Sequence, residues 1–304
     1  MQKDFLSISS FRSDELNYIL DRAIKLKKRY KAGELYRPFI GKVFAMLFEK
    51  ASTRTRISFE AGFSQLGGSV IFLDTLQTQL KNKESIEDTA RAVSRMVDLV
   101  MIRTALHSRL VAFAQHSKVP VINGLTNDNH PCQVMADIMT FIEKRGTIKG
   151  SVVTWIGDAN NVLYSWLQAA SILDFKVRIS APPGYSINSS QVPDNEECYD
   201  FFLSPLEAAE GADLVTTDNW KSCGYDENQA KRQSRSARWQ VNESIMKAAK
   251  PDALFMHCLP AFRGKEVTAE VIDGPQSVVW DEAENRLHVQ KAIMEYLLLG
   301  KIED

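Results

Sequence analysis

Ser52-Thr53-Arg54-Thr55-Arg56 places three hydroxyls and two guanidiniums in five consecutive positions. Val43-Phe44-Ala45-Met46-Leu47-Phe48, an apolar run of strand length, comes just before it. Ile57, Phe59, Ala61, Phe63 and Leu66 follow at helical spacings, closed by Gly67-Gly68. The order is strand, turn, helix, with the polar residues in the turn. A helix start offers free N–H groups and the positive end of the dipole. Hydroxyls and arginines there add donors and full positive charge, the chemistry of a phosphate site. A bare Ser-Thr-x-Thr would suit a simple helix cap; five consecutive cationic or hydroxyl residues at a strand's carboxyl end favour phosphate.

Further residues suited to chemistry recur along the chain. Arg103 stands at the end of the apolar run 99–102, and His130-Pro131-Cys132-Gln133 opens a long helical pattern. With Arg54 and Arg56 these supply donors and cations for an anion that also carries a carbonyl. Asn161, Asp218 and Ser222 are a mixture suited to an amino acid with its ammonium and carboxylate. Each has a plainer explanation. Asn161 suits a helix cap, Asp218 a turn cap, His130 a satisfied loop histidine, and Cys258 inert packing at a strand end. No Ser–His–Asp order or H-E-x-x-H spacing is present. Gly157-Asp158-Ala159-Asn160-Asn161 lacks the G-x-G-x-x-G spacing of a dinucleotide fold.

The elements that must position these residues alternate. A helix is expected over 13–32 with Ser13 able to cap it. Strands are expected at 43–48, 70–73, 99–102, 119–123, 152–156, 176–181, 201–203, 214–217, 254–256 and 278–280. Helices follow Ser52, the capping box Ser85-Ile86-Glu87-Asp88, Pro131, Asn161 and Ser204-Pro205-Leu206-Glu207, and a final one covers about 285–299. The stretch 221–239 is polar and aperiodic and reads as a mobile loop. Alternation of this kind implies α/β architecture with parallel sheets covered by helices. Ligands in such sheets bind outside the carboxyl ends of strands, where every polar cluster falls. Because the clusters come from both halves, a cleft between two domains is expected to hold the site.

The 304 residues suffice for two domains of roughly 150 residues each. The composition is 44% hydrophobic and 25% charged, ordinary for a globular protein. Lys+Arg 37 against Asp+Glu 38 gives a net charge of −1, which disfavours nucleic acid as a partner. Met1 to Ser10 has no apolar core of signal-peptide length, and no apolar run approaches a membrane span. Cys132, Cys198, Cys223 and Cys258 form no C-x-x-C pair, so free thiols in a reducing cytoplasm are expected.

Taken together, the clusters resemble the aspartate/ornithine carbamoyltransferase family. Ser52-Thr53-Arg54-Thr55-Arg56 is similar to its carbamoyl-phosphate signature, and His130-Pro131-Cys132-Gln133 to its second motif. Asp218-Asn219-Trp220-Lys221-Ser222-Cys223-Gly224 and His257-Cys258-Leu259-Pro260 resemble the ornithine branch. The likeness runs from about Phe5 to Leu298 in the family's motif order. It implies two doubly wound parallel-sheet domains joined by a linking helix, with the C-terminal helix packing back on the first. Residues 1–147 plus 286–304 would form a carbamoyl-phosphate-binding domain and 148–285 an ornithine-binding domain. It also implies a homotrimer, or a multiple of trimers, with sites at subunit interfaces.

Residue by residue, the resemblance assigns the phosphate to Ser52, Thr53, Arg54 and Thr55. It assigns the carbamoyl group to Arg103, His130 and Gln133, within the motif that also carries Pro131 and Cys132. Gln79 matches a glutamine that reaches across from a neighbouring subunit. Asn161, Asp218, Ser222 and Cys223 match ornithine contacts; Cys258, Leu259 and Arg286 match residues that close on both substrates. Arg103, His130 and Cys258 are the catalytic candidates. Cys223 stands where the family has Met, and Lys81 where it has Gly. The implied reaction converts L-ornithine and carbamoyl phosphate into L-citrulline and phosphate, in arginine metabolism, with no metal and no organic cofactor. Alternatives are a carbamoyltransferase for putrescine or an N-acyl-ornithine, kept open by Cys223, and a non-catalytic carbamoyl-phosphate-binding subunit, opposed by the full set of site residues. A comparison of amine substrates separates the first, and a citrulline assay the second.

Overall fold

The computed structural model describes residues 3–75, 78, 84–184, 187, 191–220 and 237–302. Gln79, Lys81, Ser222 and Cys223 lie outside them, as does most of the 221–239 stretch. The chain divides into two compact units, Met1–Met139 with Glu284–Asp304, and Thr140–Ala283.

Unit 1 is built on strands β1 (Val43–Phe48), β2 (Ser69–Asp74), β3 (Leu99–Arg103) and β4 (Val121–Leu125), all parallel in the order β2-β1-β3-β4. β1 and β3 read as near-continuous apolar runs because helices cover such strands on both faces; Phe44, Met46, Val100 and Met101 are fully buried. The helices are α1 (Ser13–Lys31), α2 (Thr53–Gln65), α3 (Ile86–Val93) and α4 (His107–His116). Phe5 bridges Ile122 and continues the sheet past β4. α2 returns to β2 through Gly68, where any Cβ would lie 2.1 Å from the Phe63 ring, so only glycine permits that approach.

Helix α5 (Pro131–Arg145) begins in unit 1 and ends in unit 2. Unit 2 holds β5 (Val152–Ile156), β6 (Lys176–Ser180), β7 (Tyr199–Phe201), β8 (Leu214–Thr217) and β9 (Leu254–His257), parallel in the order β7-β6-β5-β8-β9. α6 (Asn161–Leu173), α7 (Pro205–Ala209), α8 (Glu243–Ala248) and α9 (Ala269–Ile272) complete it. The last helix, α10 (Val279–Leu299), runs from unit 2 back into unit 1. There Glu295 receives Arg22 at 2.5 Å, both side chains nearly buried, and Tyr296 donates to Glu15 at 2.6 Å. Burial without a partner would make either member of the Arg22–Glu295 pair costly. No helix among the described residues is long and apolar enough to cross a membrane.

Several expected boundaries move. Residues 278–280 are not a strand: Ser277 alone bridges Phe255, and the helix starts at Val279. Three apolar residues followed by Asp281-Glu282 fit a helix's acidic first turn as well as a strand, and Trp280 is 65% exposed. The strand expected at 201–203 lies at 199–201, and that at 119–123 lies at 121–125. Arg12, rather than Ser13, occupies the cap position of α1, and its N–H donates to Glu15 at 3.0 Å. Helices α4, α8 and α9 had no signal clear enough to be expected. Of the two expected capping boxes the cap half is present: Ser85 accepts the Asp88 N–H at 3.1 Å, and Ser204 that of Glu207 at 3.4 Å.

Candidate active site

Both sheets have a topological switch point. In unit 1 the chain leaves β1 for β2 on one side and later reaches β3 on the other. In unit 2 it leaves β5 for β6 and β7, then returns to β8 and β9. Such points open a crevice at the carboxyl ends of the two central strands. The candidate residues gather at both.

In unit 1 the register pairs Phe48 with Arg103, which sets Arg103 beside the turn that follows β1. Glu49 then fastens the two strand ends. Its N–H donates to the Arg103 carbonyl at 2.9 Å. Its carboxylate accepts from the Thr104 hydroxyl and pairs with Arg109 at 2.6 Å. Thr55, 2% exposed in the first turn of α2, receives Arg103 Nη1 at 3.2 Å and Arg286 Nη2 at 3.4 Å. Arg286 also donates to Gln133 Oε1, while Gln133 Nε2 donates to Asp137 at 2.8 Å. Asp137 accepts only, so it fixes the amide with the oxygen toward Arg286. Ser52 and Arg54 are half-buried and Thr53 is exposed at this helix start.

Pro131 opens α5 and leaves His130 just ahead of it, buried. Burial, then the charges of Arg286, Arg103 and Arg54, hold the His130 pKa well below its ordinary value. The imidazole is therefore neutral at neutral pH, a donor at one nitrogen within a cluster of cations. Cys132 is different. Its thiol donates to the Asn123 carbonyl at 3.4 Å, and burial pushes its pKa up to about 12. It is a packed thiol rather than a nucleophile. Arg56 leaves the turn: it pairs with Glu60 at 3.2 Å and lies over the Phe72 ring at 3.7 Å, so the expectation that it joins Arg54 on the anion is not met.

In unit 2, Thr217 pairs with His257, which sets Asp218 beside Cys258 at adjacent strand ends. The Cys258 thiol donates to Asp218 Oδ1 at 3.2 Å. Asn160 Nδ2 donates to Asp218 Oδ2 at 2.7 Å across the switch point. Gly157, at φ +135° after β5, takes a backbone conformation that favours glycine and brings this turn against Thr217. His257 braces the other side. Its Nδ1 accepts the Leu259 N–H at 2.9 Å, leaving Nε2 to donate to Glu266 at 3.3 Å. Its own N–H donates to Glu282 at 2.9 Å. Leu259 sits at φ +57°, an unusual conformation for a branched residue that these bonds hold. Asp218, His257 and Cys258 bring one ligand atom each within 4.8 Å of one another, a grouping that could meet a cation. Both imidazole nitrogens are engaged within the protein, which favours a hydrogen-bonded hub over a ligand set.

Thr55, Arg103, His130, Gln133 and Arg286 thus come together in unit 1, and Asp218 and Cys258 in unit 2. Asn161 is the first residue of α6, but the capping side chain is Asn160. Sequence reasoning passed over Glu49, Asp137, Asn160, Glu266 and Glu282. A carboxylate four residues after Gln133 on one helix was a signal for Asp137; Glu266 and Glu282 had none.

Residues 3–143 match the model of the aspartate/ornithine carbamoyltransferase carbamoyl-P binding domain, and 149–297 that of the Asp/Orn binding domain. The chain belongs to the aspartate/ornithine carbamoyltransferase family. Within it, the chain is 56% identical over 303 residues to the ornithine carbamoyltransferase of Burkholderia cenocepacia (strain HI2424), covering 99% of this chain and 98% of that one. It is likewise 56% identical to that of Methylobacillus flagellatus, over 99% of both. Two solved structures are similar. The ornithine carbamoyltransferase of Burkholderia thailandensis superposes with TM-score 0.92 at 54% identity, covering 98% of this chain and 99% of that one. That of Pyrococcus furiosus superposes with TM-score 0.94 at 42% identity, covering 99% and 98%.

Proposed function

We propose that this chain transfers the carbamoyl group of carbamoyl phosphate to the side-chain amine of L-ornithine, giving L-citrulline and phosphate. The observation that carries the reading is the group around Thr55: two arginines on one buried hydroxyl, with a neutral histidine beside them. Such a group suits a phosphorylated carbonyl compound. Carbamoyl phosphate is assigned to residues 1–147 plus 286–304, and ornithine to 148–285.

Ser52, Thr53, Arg54 and Thr55 hold the phosphate, with the free N–H groups of the α2 start. The Arg54 carbonyl accepts the Ser58 hydroxyl at 2.7 Å, and no hydrogen bond or ion pair joins its guanidinium to another described residue, which leaves that group for a dianion. Arg103, His130 and Gln133 hold the carbamoyl group. Asn161 and Asp218 hold ornithine, together with Ser222 and Cys223. Cys258, Leu259 and Arg286 complete the contacts.

The amine titrates near ~10.4 in water, so its deprotonation at pH 7 costs about 4.6 kcal/mol. Desolvation and the arginines offset that cost. Its nitrogen then attacks the carbonyl carbon, a C–N bond forms, and the carbonyl electrons move to oxygen. Arg103 and the neutral His130 donate to that oxyanion, a contribution of roughly 3–4 kcal/mol for one well-placed donor. The C–O bond to phosphate breaks as the carbonyl re-forms, and the nitrogen's proton passes to the departing phosphate. The departing dianion stays with Arg54 and the helix start. Cys258, a thiol donating to Asp218, orients the amine rather than attacking carbon.

The assembly is proposed to be a homotrimer or a multiple of trimers, with Gln79 reaching a neighbour's site. Arginine biosynthesis in the cytoplasm is the proposed setting, supported by the free thiols of Cys132, Cys198 and Cys258. A colorimetric citrulline assay on purified protein tests the central reading. Turnover with ornithine well above that with putrescine is expected; preference for putrescine, or no turnover, defeats it.

A further inference from the structure

We propose that Asn160 is a positioning residue for the amine substrate, acting through Asp218 across the switch point of unit 2. The inference rests on the reading of Asp218 as an ornithine contact.

Asn160 follows β5 with extended backbone, φ −139° and ψ −177°, and occupies the cap position of α6. Its Oδ1 accepts the N–H groups of Val162 at 3.0 Å and Leu163 at 3.2 Å. Those two bonds decide which way the amide faces. An N–H group accepts nothing, so the Nδ2 end must point away from the helix. It points at Asp218, 2.7 Å from Oδ2. Asn160 is 8% exposed, which shields that bond from competing water.

The two oxygens of Asp218 are held differently. Oδ1 accepts the Asn219 N–H at 2.7 Å, the Asn219 amide at 3.1 Å and the Cys258 thiol at 3.2 Å. Oδ2 is held by Asn160. The end torsion of an aspartate is broad and roughly two-fold, so bonds at one oxygen leave the carboxylate plane loosely set. A second bond at the other oxygen, from a residue itself locked to a helix, fixes the plane. An ammonium or amine approaching Asp218 then meets one orientation of acceptor lone pairs. Neighbouring asparagines divide the work: Asn160 joins cap to carboxylate, while Asn161 begins the helix.

A capping residue without this second role would be interchangeable with other caps. Asn, Asp and Ser cap helices about equally well. Only Asn also carries a donor at the far end. Asn160→Ser keeps a capping oxygen and removes the donor. Asn160→Asp keeps the cap and sets a second carboxylate against Asp218, where like charges disfavour each other. Both variants should melt within a few degrees of wild type. Their KM for ornithine should rise about tenfold or more, as expected for a lost hydrogen bond to a charged group, with Asp the worse. Their KM for carbamoyl phosphate should stay within about twofold, since the bond lies wholly in unit 2. Asn160→Ala, which loses cap and donor together, should add a drop in melting temperature. Unchanged ornithine KM in the Ser and Asp variants, or losses that track melting temperature across all three, overturns the inference. A wild-type chain that forms no citrulline defeats the functional reading and this inference with it; an active wild type with indifferent variants defeats this inference alone.

Discussion

Thr55 is the residue on which the unit 1 cluster converges. Its hydroxyl oxygen can accept two hydrogen bonds, and two different arginines supply them. Arg103 reaches it from β3, held in place through its backbone by Glu49. Arg103→Lys should therefore leave the fold intact, because Glu49 braces the carbonyl and the following residues rather than the guanidinium. A lysine cannot bond Thr55 and a carbamoyl oxygen together as a planar fork does. Turnover should fall roughly 100-fold, the usual cost of one oxyanion donor, with little change in melting temperature. Steady-state kinetics within a few-fold of wild type would show that Arg103 does not meet the reacting carbonyl. At this scale the residue types were legible in the sequence, because Arg, Thr, His and Gln at a strand end have chemistry wherever they point. Direction was not legible. Nothing in Ser-Thr-Arg-Thr-Arg says that Arg56 turns to Glu60 and Phe72 while Arg54 does not. Nor does Asn160-Asn161 say which asparagine caps.

Elements with strong periodicity and caps were readable: β1, α2, α5 and α6 begin where an apolar run meets a turn residue. Short apolar runs were not. Val278-Val279-Trp280 satisfies a strand pattern and a helix start equally, and only the parallel sheet's own edge at β9 decides it. α10 also carries a feature no pattern announces. Lys291 is 3% exposed, with its ammonium 4.3 Å from the centre of the Tyr30 ring on α1. Burial lowers its pKa to about 8, from an ordinary 10.5. A depressed lysine pKa means the folded state resists the charged form. The penalty is fully present below pH 8 and disappears as pH rises through 10.5, where the unfolded chain also loses the proton. Lys291→Met keeps the packing stem and removes the charge. It should raise the melting temperature at pH 7, and the gain over wild type should shrink steadily toward pH 10. A gain that is constant with pH would mean that the ammonium is satisfied where it lies, with the Tyr30 face offsetting its desolvation.

For the molecule as a whole, the proposed reaction assigns residues to both units. Arg54, Thr55, Arg103, His130 and Gln133 belong to unit 1; Asn161, Asp218 and Cys258 belong to unit 2. α5 and α10 each run across the boundary: α5 begins at Pro131 in unit 1 and ends at Arg145 in unit 2, and α10 begins at Val279 in unit 2 and reaches Arg286 in unit 1. The two substrates also differ in charge. On the proposed assignment, carbamoyl phosphate is an anion that offsets the cations around His130. Ornithine brings a cation that must lose a proton before it attacks. An unneutralised set of arginines disfavours the second ligand, and a bound dianion removes that repulsion. Carbamoyl phosphate should therefore bind first, and ornithine should bind much more tightly once it is present. Norvaline, which keeps the amino-acid end of ornithine and lacks the side-chain amine, separates charge from other sources of coupling. If only charge couples the ligands, ornithine alone gains affinity from a carbamoyl-phosphate analogue. If the first ligand also preorganises the amino-acid contacts of unit 2, norvaline gains too. The second outcome is expected. Calorimetric titrations of both amino acids, with and without the analogue, decide it, and linkage requires the analogue to gain the same factor in return. Equal norvaline affinity in both titrations would leave charge alone as the coupling, and equal ornithine affinity as well would show that the two substrates bind independently.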